Sequence, residues 1–226
     1  MADNNRGLLH GISRDGDALD PVVIGEAANP FPGWARRPPV LWLWYIRSRI
    51  GDHGRMPPIR RLTEITSLIY VGGQTDQHGW SRLQRWGVGA LVNVRVEWDD
   101  RRLSIQTPHY LWLPAIDGTP LSVEQLTQGV AFIAEQLAAR RGVYIHCAAG
   151  LGRGPMMAAA FFVARGLHAE EAIAFVGARR PFISLSKRQR ARLRDFESYL
   201  HNGGTVSSAE WFTRTPLPLR GGEARG

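Results

Sequence analysis

A short apolar run, Gly142-Val143-Tyr144-Ile145-His146, leads without a break into a loop of small residues and then into the start of a helix. The run has the length and character of a buried strand. The loop, Cys147-Ala148-Ala149-Gly150-Leu151-Gly152, ends at Arg153-Gly154-Pro155, with proline early in the helix, where its missing N–H does no harm. A strand, tight loop and helix in this order aim several backbone N–H groups and the positive end of a helix dipole at one point, which makes an anion site. Gly150 and Gly152 allow the backbone a positive φ there. A chain built around such a unit needs a sheet covered by helices.

The rest of the pattern agrees. Ser67-Leu68-Ile69-Tyr70-Val71 reads as a strand closed by Gly72-Gly73, a turn or close-approach signal. Asp76 is placed to cap a short helix carrying Trp80, Leu83 and Trp86 that stops at Gly87. Strands follow at Ala90-Leu91-Val92-Asn93-Val94 and Tyr110-Leu111-Trp112-Leu113, separated by a charged loop from Arg95 to Pro108. Ser122 and Gln125 have capping-box spacing, with Leu121 and Leu126 as the hydrophobic staple. Leu126, Val130, Ile133 and Leu137 then form one apolar helical face over residues 122–140. From Gly154 onward three helices are separated at Gly166-Leu167 and Arg180-Pro181. The expected fold is α/β, with a central mixed, partly parallel sheet flanked by helices.

Residues 1–60 form an irregular N-terminal extension by this reading, 61–200 the folded domain, and 201–226 a flexible tail. The chain has 226 residues and a single Cys, which excludes an internal disulfide framework and a cysteine-rich zinc cluster. With 28 Lys+Arg against 20 Asp+Glu the formal charge is +8, which points to anionic partners without choosing among them. No apolar run is long enough for a transmembrane span or a signal peptide, so a cytoplasmic location is expected. Residues 39–50 are aromatic and basic; they suit either packing on the domain or a membrane interface.

Chemistry gathers on Cys147. A thiol at the centre of the loop has its thiolate favoured by the surrounding N–H groups and by Arg153, so nucleophile and phosphate cradle become one object. The alternative is a buried cysteine serving as a small hydrophobe; that use requires neither two glycines nor an arginine six positions on. Asp117, on the loop after the third strand, is the leading candidate for general acid, although Asp-Gly is also a common turn dipeptide. Asp99 and Asp100 are the fallback. Arg153 is suited to hold two phosphate oxygens in a bidentate fork, which lysine cannot reproduce.

His146-Cys147-x-x-Gly150-x-x-Arg153 resembles the signature loop of the cysteine-dependent protein tyrosine phosphatase superfamily, and its surroundings are similar to the dual-specificity branch. The likeness covers about residues 62–200. It includes Leu68-Ile69-Tyr70-Val71-Gly72, Leu91-Val92-Asn93-Val94, Leu113-Pro114-Ala115-Ile116-Asp117 and Arg179-Arg180-Pro181. The resemblance implies a protein tyrosine phosphatase-like fold and a phosphate monoester hydrolase working through a cysteinyl-phosphate intermediate. It assigns Cys147, Arg153 and Asp117 to catalysis, without metal or cofactor. His146, Ala148, Ala149, Gly150, Leu151, Gly152 and Gly154 would form the phosphate-binding loop, with His146 supporting the loop and the thiolate.

Two positions depart from or extend the pattern. The family usually has Ser or Thr where Gly154 stands, and that hydroxyl assists departure of the cysteine sulfur in the second step. Gln189 lies on the inward face with Leu193, Phe196 and Leu200; it is a candidate for positioning the hydrolytic water or a buried glutamine satisfied by backbone. Ala148, Ala149 and Leu151 leave the loop interior uncharged, which disfavours a polyphosphorylated headgroup. A phosphorylated protein is the leading substrate. A lipid monophosphate on an anionic membrane surface is the alternative, as in the similar phosphatidylglycerophosphate phosphatases. An RNA 5′-triphosphate end rests on charge alone, so nucleic acid is not the expected partner. A phosphate-reading module with little turnover is the reading from a different functional class.

Overall fold

The computed structural model describes residues 62–207 apart from 104 and 106. The N-terminal extension with its aromatic segment at 39–50, and the tail beyond 207, lie outside the described residues. Along the chain come β1 (Leu62–Thr66), β2 (Ile69–Gly72), α1 (Gln77–Arg85), β3 (Val88–Asn93), a 3₁₀ turn (Asp100–Leu103) and β4 (His109–Trp112). They are followed by α2 (Val123–Ala138), β5 (Gly142–His146), α3 (Arg153–Ala164), α4 (Ala169–Arg179) and α5 (Lys187–His201).

The strands form one five-stranded sheet in the order β1-β2-β5-β3-β4. β5 pairs in parallel with β2 and β3, β3 in parallel with β4, and only β1 runs antiparallel, against β2. The mixed, partly parallel sheet expected from the sequence is therefore present. β5 holds the middle position, and its C-terminal end carries Cys147.

Side chains alternate across the sheet with the period of two that a pleated strand imposes. Ile69, Val71, Ala90, Val92, Val143 and Ile145 face the larger core, which contains residues of all four helices from α2 to α5. Tyr70, Leu91 and Tyr144 point the other way, into a smaller cluster with Trp80 and Leu83 of α1. Because both faces are covered, the central strands read as continuous apolar runs. α3 is buried along residues 153–163, so it lacks a polar face and acts as a core helix.

Local signals set most boundaries. Asp76 Oδ1 accepts from Gly79 N at 2.7 Å and starts α1. Ser122 and Gln125 form the reciprocal capping box at α2, and Leu121 and Leu126 are fully buried beside it. Three features differ from the sequence expectation. β1 forms an antiparallel edge through a tight turn at Ser67-Leu68, where Thr66 Oγ1 accepts from Ile69 N at 3.1 Å. The charged loop contains the 3₁₀ turn. Trp86 sits at the C-cap of α1 with its side chain exposed, because the helix ends before its apolar face reaches it.

The capping box gives a direct test of this helix start. Ser122→Ala should cost about 1 kcal/mol, the usual loss of an N-cap side chain, read as a lower denaturation midpoint with unchanged slope. A stability equal to wild type would show that the box does not hold α2.

Candidate active site

β5 delivers Cys147 to the C-terminal edge of the sheet, and the loop then turns so that its carbonyls face away from the centre. Each carbonyl from residue 147 to 152 has a donor behind it. Cys147 O faces His146 Nδ1 at 3.3 Å, and Ala148 O accepts from Gln74 N at 2.9 Å. Gly150 O accepts from Arg180 Nε at 2.7 Å and Ala149 O from the same guanidinium at 3.5 Å. Leu151 O accepts from Ser184 N at 2.7 Å and Gly152 O from Met156 N at 2.9 Å. With the carbonyls held outward, the N–H groups are left to converge. One of them, Gly150 N, donates to Cys147 Sγ at 3.2 Å. Gly152 is the N-cap of α3 and brings no side chain to its open N–H groups, which suits an anion there.

Gly150 has φ 68°, as the turn requires, whereas Gly152 has φ −119° and needs no such freedom. Gly152 is instead small because Gln189 lies against it: a Cβ there would be 3.2 Å from Gln189 Oε1. Gly154 sits in the first turn of α3 without a positive φ, and a Cβ there would meet only ordinary contacts, at 3.5 Å from Cys147 N.

Arg153 is fully buried. One terminal nitrogen donates to Ala115 O at 2.6 Å and to both oxygens of Glu97 at 3.0 and 3.1 Å. The other lies 3.4 Å from Asp117 Oδ1, and neither it nor Nε has a hydrogen-bond acceptor among the described residues. Two buried donors of one guanidinium without acceptors are costly, and an oxyanion in the loop satisfies both. Glu97 is a residue that sequence reasoning missed. Burial pushes its carboxyl up, but hydrogen bonds from Arg153 and its own backbone and the charges of Arg153 and Arg95 outweigh this and hold it below the usual carboxylate range.

The three acidic candidates separate clearly. Asp117 is half-exposed beside Arg153, at the open side of the loop. Asp99 is engaged by Arg101 and Tyr110; the Arg101 hydrogen bond is the main cause holding its carboxyl down at about 2. Asp100 is fully buried, with Oδ2 2.6 Å from His146 Nε2. Both fallback acids are thus committed to other partners, Asp99 to Arg101 and Tyr110 and Asp100 to His146. Gln189 accepts from Ser186 N at 2.9 Å and donates to Thr119 O at 3.0 Å, tying the start of α5 to the segment after Asp117.

A central parallel strand feeding a cysteine-to-arginine anion loop at a helix N-terminus is the architecture of the cysteine-dependent protein tyrosine phosphatase superfamily. The family model described as "Dual specificity phosphatase, catalytic domain" matches residues 69–199, and the chain belongs to that family. It is 29% identical over 142 residues to human dual specificity protein phosphatase 16, covering 62% of this chain and 21% of that protein. It is 27% identical over 139 residues to dual specificity protein phosphatase Mpk3 of Drosophila melanogaster, covering 60% of this chain and 34% of that one. The chain thus spans between about a fifth and a third of these relatives' length. Among solved structures, PTPMT1 in complex with PI(5)P superposes with a TM-score of 0.60 at 22% identity, covering 64% of this chain and 99% of that one, a likeness of fold.

Gly150 is the loop's least replaceable residue. A Cβ there would lie 2.5 Å from Gly72 O and 2.6 Å from an Arg180 nitrogen, at a φ that L side chains avoid. Gly150→Ala should abolish protection of Cys147 by vanadate against alkylation, while circular dichroism stays native. Undiminished protection would mean that the loop does not bind the oxyanion in this conformation.

Proposed function

We propose that this chain hydrolyses phosphate monoesters through a cysteinyl-phosphate intermediate on Cys147. The observation that carries this reading is that Cys147 Sγ, the converging loop N–H groups and the two acceptor-free nitrogens of Arg153 belong to one seven-residue unit. The thiolate attacks phosphorus while the P–O bond to the leaving group breaks. The departing oxygen takes a proton from Asp117, and Arg153 with the N–H groups holds the equatorial oxygens. Water then attacks phosphorus, Asp117 takes its proton, and the S–P bond breaks to release inorganic phosphate and the thiolate. Gln189, beside Gly152, has one amide hydrogen beyond that given to Thr119 and is the candidate to hold this water.

For substrate we favour a phosphorylated protein. Support comes from the uncharged loop interior, Ala148, Ala149 and Leu151, which offers no cation to a second phosphate. Val96, Trp98 and Ile116, sequence neighbours of Glu97 and Asp117, are exposed apolar side chains, and as a rim to the loop they would suit a phosphotyrosine ring. The same rim favours the second reading, a lipid monophosphate, and the complex of PTPMT1 with PI(5)P supports it. Among the described residues no helix is long and apolar enough to cross a membrane. With this reading we propose a cytoplasmic enzyme, peripheral to a membrane in the lipid case. Phosphopeptides, lipid monophosphates in vesicles and RNA 5′ ends assayed side by side decide the matter. Phosphopeptides should turn over fastest, and preference for the lipid would overturn the choice of protein.

Two sets of variants test the chemistry. Cys147→Ser should end turnover while phosphate esters still bind, and wild-type activity should persist in excess EDTA. Asp117→Asn should slow a substrate with a poor leaving group by about 10²-fold, the scale of a lost general acid, and an activated aryl phosphate far less. Equal losses on both would move the acid role away from Asp117.

The missing hydroxyl at position 154 predicts slow breakdown of the intermediate, seen as a burst of about one equivalent of product before a slower steady state. Gly154 has ordinary φ and room for a Cβ, so Gly154→Ser should raise the steady-state rate, shrink the burst and leave vanadate affinity unchanged. No burst in the wild type, with no rate gain in a variant that binds vanadate normally, would show that another group already assists the sulfur.

A further inference from the structure

Asp100 and His146 are both fully buried, and their 2.6 Å contact is one link in a longer chain of side chains. Asp100 Oδ1 accepts from Gln74 Nε2 at 2.7 Å, and Gln74 Oε1 accepts from Arg95 at 2.8 Å. Arg95 Nε lies 3.4 Å from Glu97 Oε2, and Glu97 holds Arg153. At the other end, His146 Nδ1 faces Cys147 O at 3.3 Å. The path therefore leaves the signature loop at its first residue and returns to it at Arg153. Gln74 also touches the loop directly, through its backbone N–H to Ala148 O.

Donor and acceptor chemistry fixes the protons along this path. A guanidinium only donates, so Gln74 must turn its oxygen to Arg95 and its amide to Asp100. Asp100 Oδ1 is then an acceptor. A carbonyl only accepts, so His146 Nδ1 carries a hydrogen toward Cys147 O. One further proton is shared across the 2.6 Å contact between Nε2 and Oδ2; carried on the nitrogen, it makes this a charge-assisted bond from imidazolium to carboxylate. Tyr144 stacks on the imidazole with centroids 5.5 Å apart, and Asn93 pairs with His146 in register from β3. The other charged group near Cys147 on the opposite side is Arg180, which reaches Val71 O and Gly150 O.

We propose that Asp100 is a positioning residue: it orients and charges the imidazole behind Cys147 and, through Gln74 and Arg95, sets the nucleophile and the phosphate clamp by one buried circuit. This rests on Cys147 being the nucleophile. Asp100 touches neither substrate nor sulfur. Its effect reaches the thiolate as a positive charge held one residue away, and reaches Arg153 as the fixed position of Glu97.

Asp100→Asn separates charge from shape. Asparagine can accept from Gln74 with its oxygen and donate to His146 Nε2 with its amide, so every hydrogen bond survives while the imidazole becomes neutral. The rate of Cys147 alkylation by iodoacetamide, followed against pH, should have its midpoint moved upward by about one pH unit, the effect of losing a nearby favourable charge. The acid limb of kcat/KM for an aryl phosphate should move by the same amount. A purely structural role would lower rates at every pH without moving either midpoint. His146→Gln should give a similar shift, and the double variant no more than either single one, because the two act as a unit. A folded Asp100→Asn protein with an unmoved alkylation midpoint overturns the proposal, and additive shifts in the double variant would overturn the path through His146. Alkylation needs no turnover, so a shifted midpoint in a chain without phosphatase activity would sink the hydrolase reading and leave this inference standing.

Discussion

The site depends on where six backbone carbonyls point. A tight loop between a strand and a helix can collect N–H groups at its centre only if each carbonyl finds a donor on the outside, since an unpaired buried carbonyl would rotate the peptide back. Here the donors come from five places: the segment after β2 through Gln74, the β5 end through His146, the Arg180 guanidinium, the segment before α5 through Ser184, and the first turn of α3 through Met156. Arg180 matters most, because it serves two adjacent carbonyls and also holds Thr63 of β1 and Val71 of β2. Burial is the main cause lowering its guanidinium, to about 10, which still leaves it charged at neutral pH. The edge strand is thus tied to the loop by the same side chain that shapes it.

Burying charge is expensive unless partners and hydrogen bonds accompany it. Arg153, Arg180, His146 and Asp100 are all buried at the C-terminal end of the sheet. Each is surrounded by donors or acceptors of matching sign, apart from the two Arg153 nitrogens that face the loop. The apolar helix α3 and the flanking helices make the rest of the core rigid enough to hold this polar layer. Stability and reactivity are therefore separated in space: the apolar core lies along the strands, and the polar network lies at their ends.

Much of this was legible in the sequence. The capping residues Asp76 and Ser122, the alternation along the strands and the Cys147–Arg153 spacing all work within a few residues of one another, so their physics is written locally. β1 was missed because Leu62–Thr66 mixes polar and apolar residues at a sheet edge, where only one neighbour strand defines it. In the sequence Glu97 is no candidate and Asp100 only a fallback acid in a charged loop, because their partners, Arg153 and His146, lie 56 and 46 residues away. A sequence shows that such carboxylates exist but not which cation the fold brings to them. The loop pattern allows Gly152 a positive φ, whereas its φ is −119° and its smallness serves the approach of Gln189.

In the proposed reaction the phosphoryl group passes through Cys147. Rapid-quench mass spectrometry of the wild-type protein mixed with an aryl phosphate tests this most directly. The predicted result is one phosphoryl group, transiently attached to the peptide that carries Cys147, forming and decaying at rates compatible with turnover. Product released with no such adduct at any time, or a phosphoryl group found on a different residue, would contradict it.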